Sequence, residues 1–175
     1  MSAYDTRARL TRPARCVIVG WALVGGAILV ILVLMTAASA ASNLLLNRPF
    51  TGDFEIVKHG VAIAAFAFLP YCQISYSNVT VDIFTEGMSA RAKSAMVVLS
   101  SIAAALFSLL LLRQMWLGMW DYIQYPEYMV SVPIALWTAF PPALVSLALL
   151  FVASLITLGE GIRGARAVPP PPVME

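Results

Sequence analysis

The residue type with most scope for chemistry is histidine, and the chain of 175 residues contains one, His59. Asp53, Glu55 and Lys58 precede it closely. Because no second histidine or further set of ligands accompanies His59, neither a metal site nor a haem held by two histidines is expected. The sequence also offers no phosphate loop and no nucleophile beside a base. We therefore expect no cofactor, no metal site and no enzyme activity in this chain.

The overall composition shows what surrounds these few polar groups. The chain is 61% hydrophobic and 11% charged, with a mean hydropathy of +0.85. Soluble domains carry about 25% charged residues, so this chain has too few charges to cover a surface that faces water. Its net charge of +2 is too small to indicate nucleic acid as a partner. The composition indicates a protein whose solvent is the lipid bilayer.

Four apolar runs predict an all-α, polytopic membrane protein. A helix needs about 20 apolar residues to cross a hydrocarbon core about 30 Å thick. The four predicted spans are 16–38, 55–77, 94–115 and 131–158, within a membrane domain at 16–160. A basic tail at 1–15 precedes the domain, and a Pro-rich tail at 161–175 follows it. We expect the first run to be a retained helix, because it is much longer than the apolar region of a signal peptide.

The distribution of basic residues predicts the orientation of the spans. The N-terminal tail, the 78–93 connection and the C-terminal tail hold eight of the 11 Lys and Arg residues. The opposite side holds Arg48, Lys58 and Arg113. Since Lys and Arg accumulate on the cytoplasmic side of membrane proteins, both termini are predicted to be cytoplasmic.

Small and polar residues within the spans predict contacts between helices. Two stripes recur at helical spacing, one of Ser100, Ala104 and Ser108 and one of Gly60, Ala64 and Ala67. Small residues allow helices to approach closely in lipid, either within this chain or against another membrane protein. Gln73, a strongly polar side chain deep in the second span, is predicted to form an interhelical hydrogen bond.

Prolines and caps predict where the helices are interrupted or begin. Pro70 in the second span and Pro141 and Pro142 in the fourth each remove a backbone hydrogen bond from a helix interior. The acidic residues near His59 suit the beginning of the second helix, with Thr51 or Asp53 as its cap.

Aromatic residues gather between the third and fourth spans. This segment contains Trp116, Trp120, Asp121, Tyr122 and Tyr125. Trp and Tyr favour the interface between lipid and water, and they also dominate the binding hot spots of proteins. The segment is therefore either an interfacial belt or a surface that contacts a protein on the outer face.

Without a family resemblance, these patterns lead to a small four-helix membrane subunit with no chemistry of its own. Such a chain could be an assembly protein or the membrane anchor of another complex. A self-sufficient proton-coupled exporter would need an acidic residue within a span. The first span contains none.

One segment, around the second span, resembles a known family. It contains, in order, Arg48-Pro49-Phe50, Gly52-Asp53-Phe54-Glu55, Phe68-Leu69-Pro70, Gln73 and Asn78-Val79-Thr80-Val81-Asp82. This order resembles the small integral-membrane subunit of tripartite ATP-independent periplasmic (TRAP) transporters, the DctQ-like family. The four spans and the predicted orientation also match that family across nearly the whole chain.

The resemblance implies a set of partners in the bacterial inner membrane. A large membrane subunit would carry the substrate and the sodium ions, and a periplasmic binding protein would deliver an organic acid. The small subunit would pack against the large one as a scaffold and support docking of the binding protein. No substrate or ion ligand is implied for this chain.

The matching residues are candidates for positioning the second helix or for contacting a partner. Asp53 and Glu55 would lie at the outer end of this helix, and Asn78 and Asp82 at its inner end. Pro70 and Gln73 complete this set. The aromatic segment is the candidate contact surface on the periplasmic side.

Overall fold

The chain folds into long α-helices in a computed structural model, which describes residues 3–47, 50, 52–75 and 90–167. The helices are α1 (Ala3–Leu46), α2 (Asp53–Ile74), α3 (Ala90–Gln124) and α4 (Phe140–Ala167), and a 3-10 helix at Leu136–Ala139 precedes α4. Within the described residues, four stretches are long and apolar enough to cross a membrane: Pro13–Leu46, Asp53–Ile74, Ala95–Gln124 and Leu136–Ile162. The prediction of an all-helical protein with four such helices is confirmed.

The fourth helix begins later than the sequence predicts. Residues 131–135 belong to a loop, and α4 starts at Phe140, which places Pro141 and Pro142 in its first turn. The N–H groups of a first turn have no partner within the helix, so proline is tolerated there at little cost. The prediction that Pro141 and Pro142 interrupt a helix interior is therefore wrong.

The third helix ends later than predicted. It continues to Gln124, so Trp116, Trp120 and Asp121 lie on a helix rather than in a connection between helices. Arg113, predicted to lie on the side opposite the termini, is 11 residues before the end of α3. At about 1.5 Å per residue, α3 is about 50 Å long, which exceeds the hydrocarbon core by about 20 Å.

The helices form an up-and-down arrangement in which α4 is central. Helix α4 packs against both α2 and α3, and α2 packs against α1. The first turns of α3 lie beside the last turns of α4, where Gly161 approaches Val97 and Val98. We call this end of the bundle, formed by the first turns of α1 and α3 and the last turns of α2 and α4, the basic end. The opposite end carries the 125–139 connection and is called the loop end.

The interior of the bundle is narrow and made mainly of small side chains. Along α4 the buried residues recur every three or four positions, which places them on one face. They are Ala143, Ser146, Leu147, Leu150, Ala153, Ser154 and Thr157. Many large apolar side chains of α1 and α3 point outward instead, among them Leu23, Val33, Leu106 and Leu110. In lipid these outward faces need no cover from the chain itself.

Candidate partner interface and the residues that shape it

Asp53 ties the beginning of α2 to α1. Its Oδ2 atom accepts a hydrogen bond of 2.5 Å from the Ser39 hydroxyl, and its Oδ1 atom accepts one of 2.6 Å from the Phe54 N–H. The cap position belongs to Gly52, which has a φ of 83° and makes no side-chain cap bond. The prediction of Asp53 as the cap is therefore wrong, and Thr51 lies outside the described residues. The carboxylate of Asp53 still lies in the first turn, where the helix dipole favours a negative charge.

Glu55 binds the backbone of a loop, a contact that the sequence did not predict. Its two carboxylate oxygens accept hydrogen bonds of 3.1 Å from the Val130 N–H and 2.9 Å from the Ser131 N–H. These backbone groups belong to a hairpin at residues 127–136, which a Tyr128–Ala135 bridge closes. Because Glu55 and the hairpin are 75 residues apart, no local pattern in the sequence indicates their contact.

His59 lies in a groove at the loop end. Its Nε2 atom is 3.3 Å from the Thr138 Oγ1 atom. The groove has a volume of about 310 Å³, and its lining includes Glu55, Lys58, Tyr128 and Val130. Among the described residues, no three His, Cys, Asp or Glu side chains are close enough together to hold a metal ion.

Three polar side chains form a buried node that joins three helices. Gln73 of α2 donates a hydrogen bond of 3.1 Å from Nε2 to the Thr157 Oγ1 of α4. The Ser101 Oγ of α3 lies 3.0 Å from the same oxygen. The Thr157 proton is directed at the Ser154 carbonyl, 3.0 Å away, so Ser101 must donate its own proton to Thr157. The predicted interhelical hydrogen bond of Gln73 is confirmed, and we call Gln73, Ser101 and Thr157 the polar node.

The helices α1 and α2 meet along a seam of small residues. Gly25 of α1 faces Ala64 and Ala67 of α2, and a Cβ atom added at Gly25 would lie only 2.8 Å from the Ala67 Cβ. One end of the seam is formed by Gly60, where an added Cβ would lie 2.7 Å from the Leu32 Cδ1. The predicted stripe of Gly60, Ala64 and Ala67 is therefore used for packing within the chain. We call these residues, with Gly25 and Leu32, the small-residue seam.

The stripe predicted on α3 is correct at Ser108 but misses the buried Ser101 by one position. Ser101 and Ser108 are fully buried, whereas Ser100 and Ala104 are only half-buried. Ser101 reaches the polar node, and Ser108 bonds the Ala105 carbonyl of its own helix at 2.9 Å. The buried line that faces α4 therefore runs through Ser101 rather than Ser100.

The remaining predicted residues fall into three groups. Pro70 is fully buried in α2, which continues as a helix to Ile74. Asn78 and Asp82 lie outside the described residues. The aromatic residues lie toward the loop end, where Trp116 and Trp120 pack edge to face with ring centroids 6.3 Å apart. Tyr122 packs against Phe140 at 5.4 Å, and Trp116, Trp120, Asp121 and Tyr125 are exposed.

A surface ion pair joins α1 to α4 at the basic end. The Arg15 Nη2 atom lies 2.7 Å from the Glu160 Oε1 atom, and both side chains remain partly exposed. Nearer the loop end than the polar node, the Trp21 Nε1–H of α1 donates a hydrogen bond of 2.9 Å to the Ser146 hydroxyl. These two contacts, like those of Asp53, Glu55 and the polar node, connect helices to one another or to the hairpin.

These features define a class of protein: an all-helical membrane protein in which several polar side chains brace the helices and the apolar faces are left open. The family profile described as "Tripartite ATP-independent periplasmic transporters, DctQ component" matches residues 29–164. The match covers more than half of the chain, so this protein belongs to the DctQ family, the small component of TRAP transporters. The resemblance noted around the second span is confirmed. No curated protein and no solved structure matches the chain significantly.

In the tripartite system, the DctQ component works with a large membrane subunit and a substrate-binding protein. The family is a transporter component and is not known as an enzyme. The open helix faces and the loop end are therefore the parts of the molecule to consider as partner surfaces.

Proposed function

We propose that this chain is the accessory scaffold subunit of a sodium-coupled TRAP importer in the bacterial inner membrane. It packs against the large transport subunit and supports docking of the periplasmic substrate-binding protein. Membership of the DctQ family over residues 29–164 is the observation that carries this proposal. Sodium and substrate are assigned to the partners, because the Asp53 and Glu55 carboxylates and the polar node are occupied in bracing the fold.

The high exposure of α3 supports a role for this helix in packing against the large subunit. Only 11% of the residues in its most apolar stretch are buried, against 33% for Leu136–Ile162. A groove of about 590 Å³ on its surface is lined by Leu109 and Arg113, among others. Arg113 has no ion pair within the described part of the chain. An exposed guanidinium beside apolar side chains suits a neighbour that supplies both a carboxylate and an apolar face.

Co-purification tests the proposal. The large subunit should be recovered with the tagged chain from native membranes in a mild detergent, and solute uptake should require both subunits and sodium. A Leu109→Trp substitution enlarges a side chain in the α3 groove and should reduce this recovery several-fold. Val33→Trp on α1 is the matched control, because Val33 is similarly exposed to lipid, at 66% against 52% for Leu109.

Failure to recover the large subunit with the unmodified chain would refute the scaffold role. It would leave a membrane assembly protein or the anchor of another complex as the alternative. Equal loss of recovery in the Leu109→Trp and Val33→Trp variants would refute the assignment to α3 alone. Uptake that continues undiminished when sodium is replaced by potassium would refute the sodium coupling.

The distribution of charge supports the proposed orientation. The basic end receives the helix termini that carry eight of the 11 Lys and Arg residues, so we place both termini in the cytoplasm. In a variant with Cys16 and Cys72 replaced by alanine, Ser131→Cys should react with a membrane-impermeant maleimide in intact spheroplasts. Ser2→Cys should react only after lysis. The reverse labelling pattern would refute the orientation.

A further inference from the structure

The 127–136 hairpin is held in place before any partner binds. The Met129 N–H donates to the Ile134 carbonyl at 3.0 Å, and the Leu136 N–H donates to the Glu127 carbonyl at 2.9 Å. Glu55 binds the turn of this hairpin through two backbone N–H groups. Gly52 packs closely against the hairpin, because a Cβ atom added at Gly52 would clash with the Val132 side chain. Several independent contacts therefore fix the shape of the hairpin against α2.

The hairpin nevertheless presents apolar side chains that the chain does not cover. Val130 at its tip is 95% exposed, Tyr125 just before it 77%, and Tyr128 60%. Irregular backbone is not tolerated facing hydrocarbon, so the hairpin must lie beyond the lipid core. Lipid therefore cannot cover these side chains in the way that it covers the outward face of α1. A rigid apolar projection into water is typical of a protein contact surface.

The groove beside the hairpin adds a charge requirement for the partner. Tyr128 and Val130 line it together with Lys58 and Glu55. Both oxygens of Glu55 already accept backbone hydrogen bonds, whereas Lys58 has no hydrogen bond or ion pair within the described residues. Among the described residues, no side chain pairs with this ammonium group, which lies beside the apolar side chains of the groove. A complementary partner carries an apolar side chain flanked by a carboxylate.

We infer that the 127–136 hairpin, fixed by Glu55, is the surface of this chain on which the substrate-binding protein docks, with Val130 as its apolar contact and Lys58 as its charged one. The inference rests on the proposed function and names the surface for one of its partners. A membrane neighbour approaches the bundle from the side, against the helix faces. The soluble component can approach the end of the bundle, where Val130 is almost fully exposed. Glu55 acts here as a positioning residue.

A titration of uptake against the concentration of binding protein tests the inference in the intact complex. Val130→Asp should raise the half-saturating concentration of binding protein about tenfold, as expected when a central contact is lost. Lys58→Glu and Glu55→Ala should raise it by a smaller factor, about threefold to tenfold. Phe54→Ala should leave it unchanged, because Phe54 is a 77% exposed side chain in the same turn of α2 as Glu55 and lies outside the groove lining.

A photoreactive amino acid at position 130 gives an independent measurement. It should crosslink to the binding protein, whereas the same group at Val33 should not. An unchanged titration in a Val130→Asp variant that still recovers the large subunit would overturn this inference alone. A crosslink from position 130 to the large subunit, in place of the binding protein, would also overturn it. If the unmodified chain does not recover the large subunit, the proposed function fails and this inference fails with it.

Discussion

Two of the contacts that α2 makes with neighbouring helices are built on different principles. Against α1, the small-residue seam brings the backbones together without a hydrogen bond among its members. Against α4, the polar node joins side chains of three helices through one hydroxyl oxygen, that of Thr157. The small-residue seam requires that Gly25 has no side chain, whereas the polar node requires the hydroxyl oxygen of Thr157.

The difference matters because both contacts lie in a bilayer. Lipid tails are as apolar as the helix faces, so burial of apolar surface gives little gain and close packing must replace it. The small-residue seam gains its stability from short distances, which one added methyl group would prevent. The polar node gains less per bond, since a polar group in a separated helix also finds other partners within the membrane. Its members instead select one register among the several that apolar faces permit.

The largest loss of stability is expected when a methyl group is added to the small-residue seam. We expect Gly25→Ala to lower the free energy of unfolding by about 2 kcal/mol, because its Cβ would lie 2.8 Å from that of Ala67. Thermal unfolding of the purified protein in detergent, followed by circular dichroism, measures this loss. Gly20→Ala in the same helix is the matched control, because nothing lies within 4 Å of a Cβ atom added there. The control should be neutral or slightly stabilising, since alanine favours a helix over glycine.

A second substitution shows whether the loss arises from the contact itself. Adding Ala67→Gly to the Gly25→Ala variant removes the opposing methyl group and should restore much of the lost stability. A double variant as unstable as Gly25→Ala alone would contradict the role of this contact. So would equal effects of Gly25→Ala and Gly20→Ala.

The sequence predicted the α2 side of each contact. The spacing of Gly60, Ala64 and Ala67 predicted a packing face on α2, and the position of Gln73 predicted a hydrogen bond between helices. Neither pattern identified the partner, because hydropathy does not specify which helices are neighbours. The partners Gly25 and Thr157 are identified by the structure, in which α2 packs between α1 and α4.

Local patterns failed where the chain leaves the membrane. Hydropathy predicted a fourth helix from residue 131, yet residues 131–135 belong to the hairpin whose turn Glu55 binds. Pro141 and Pro142 are typical of the start of a helix. The apolar residues on both sides of the pair instead indicated the interior of a span. On α3, the predicted stripe included the buried Ser108 but named Ser100 in place of Ser101, since a small-residue pattern fixes a face only to within about 100°.

A smaller loss of stability than that of Gly25→Ala is expected when the Thr157 hydroxyl is removed from the polar node. Thr157→Val keeps the shape of the side chain and removes the oxygen that accepts from Gln73 and Ser101. We expect a loss of about 1 kcal/mol, half that of Gly25→Ala, because hydrogen bonds between membrane helices contribute about 0.6 to 2 kcal/mol. Ser154→Ala is the matched control on the same helix, because the Ser154 hydroxyl bonds the Phe151 carbonyl of α4 itself.

A double-mutant cycle separates the role of the node from that of its single residues. If Gln73 acts through Thr157, then Gln73→Leu should cost less in the Thr157→Val background than in the unmodified chain. Additive losses would mean that the two side chains stabilise the bundle independently. A Thr157→Val loss larger than that of Gly25→Ala would reverse the comparison, because the hydroxyl would then contribute more to stability than the close approach of α1 and α2.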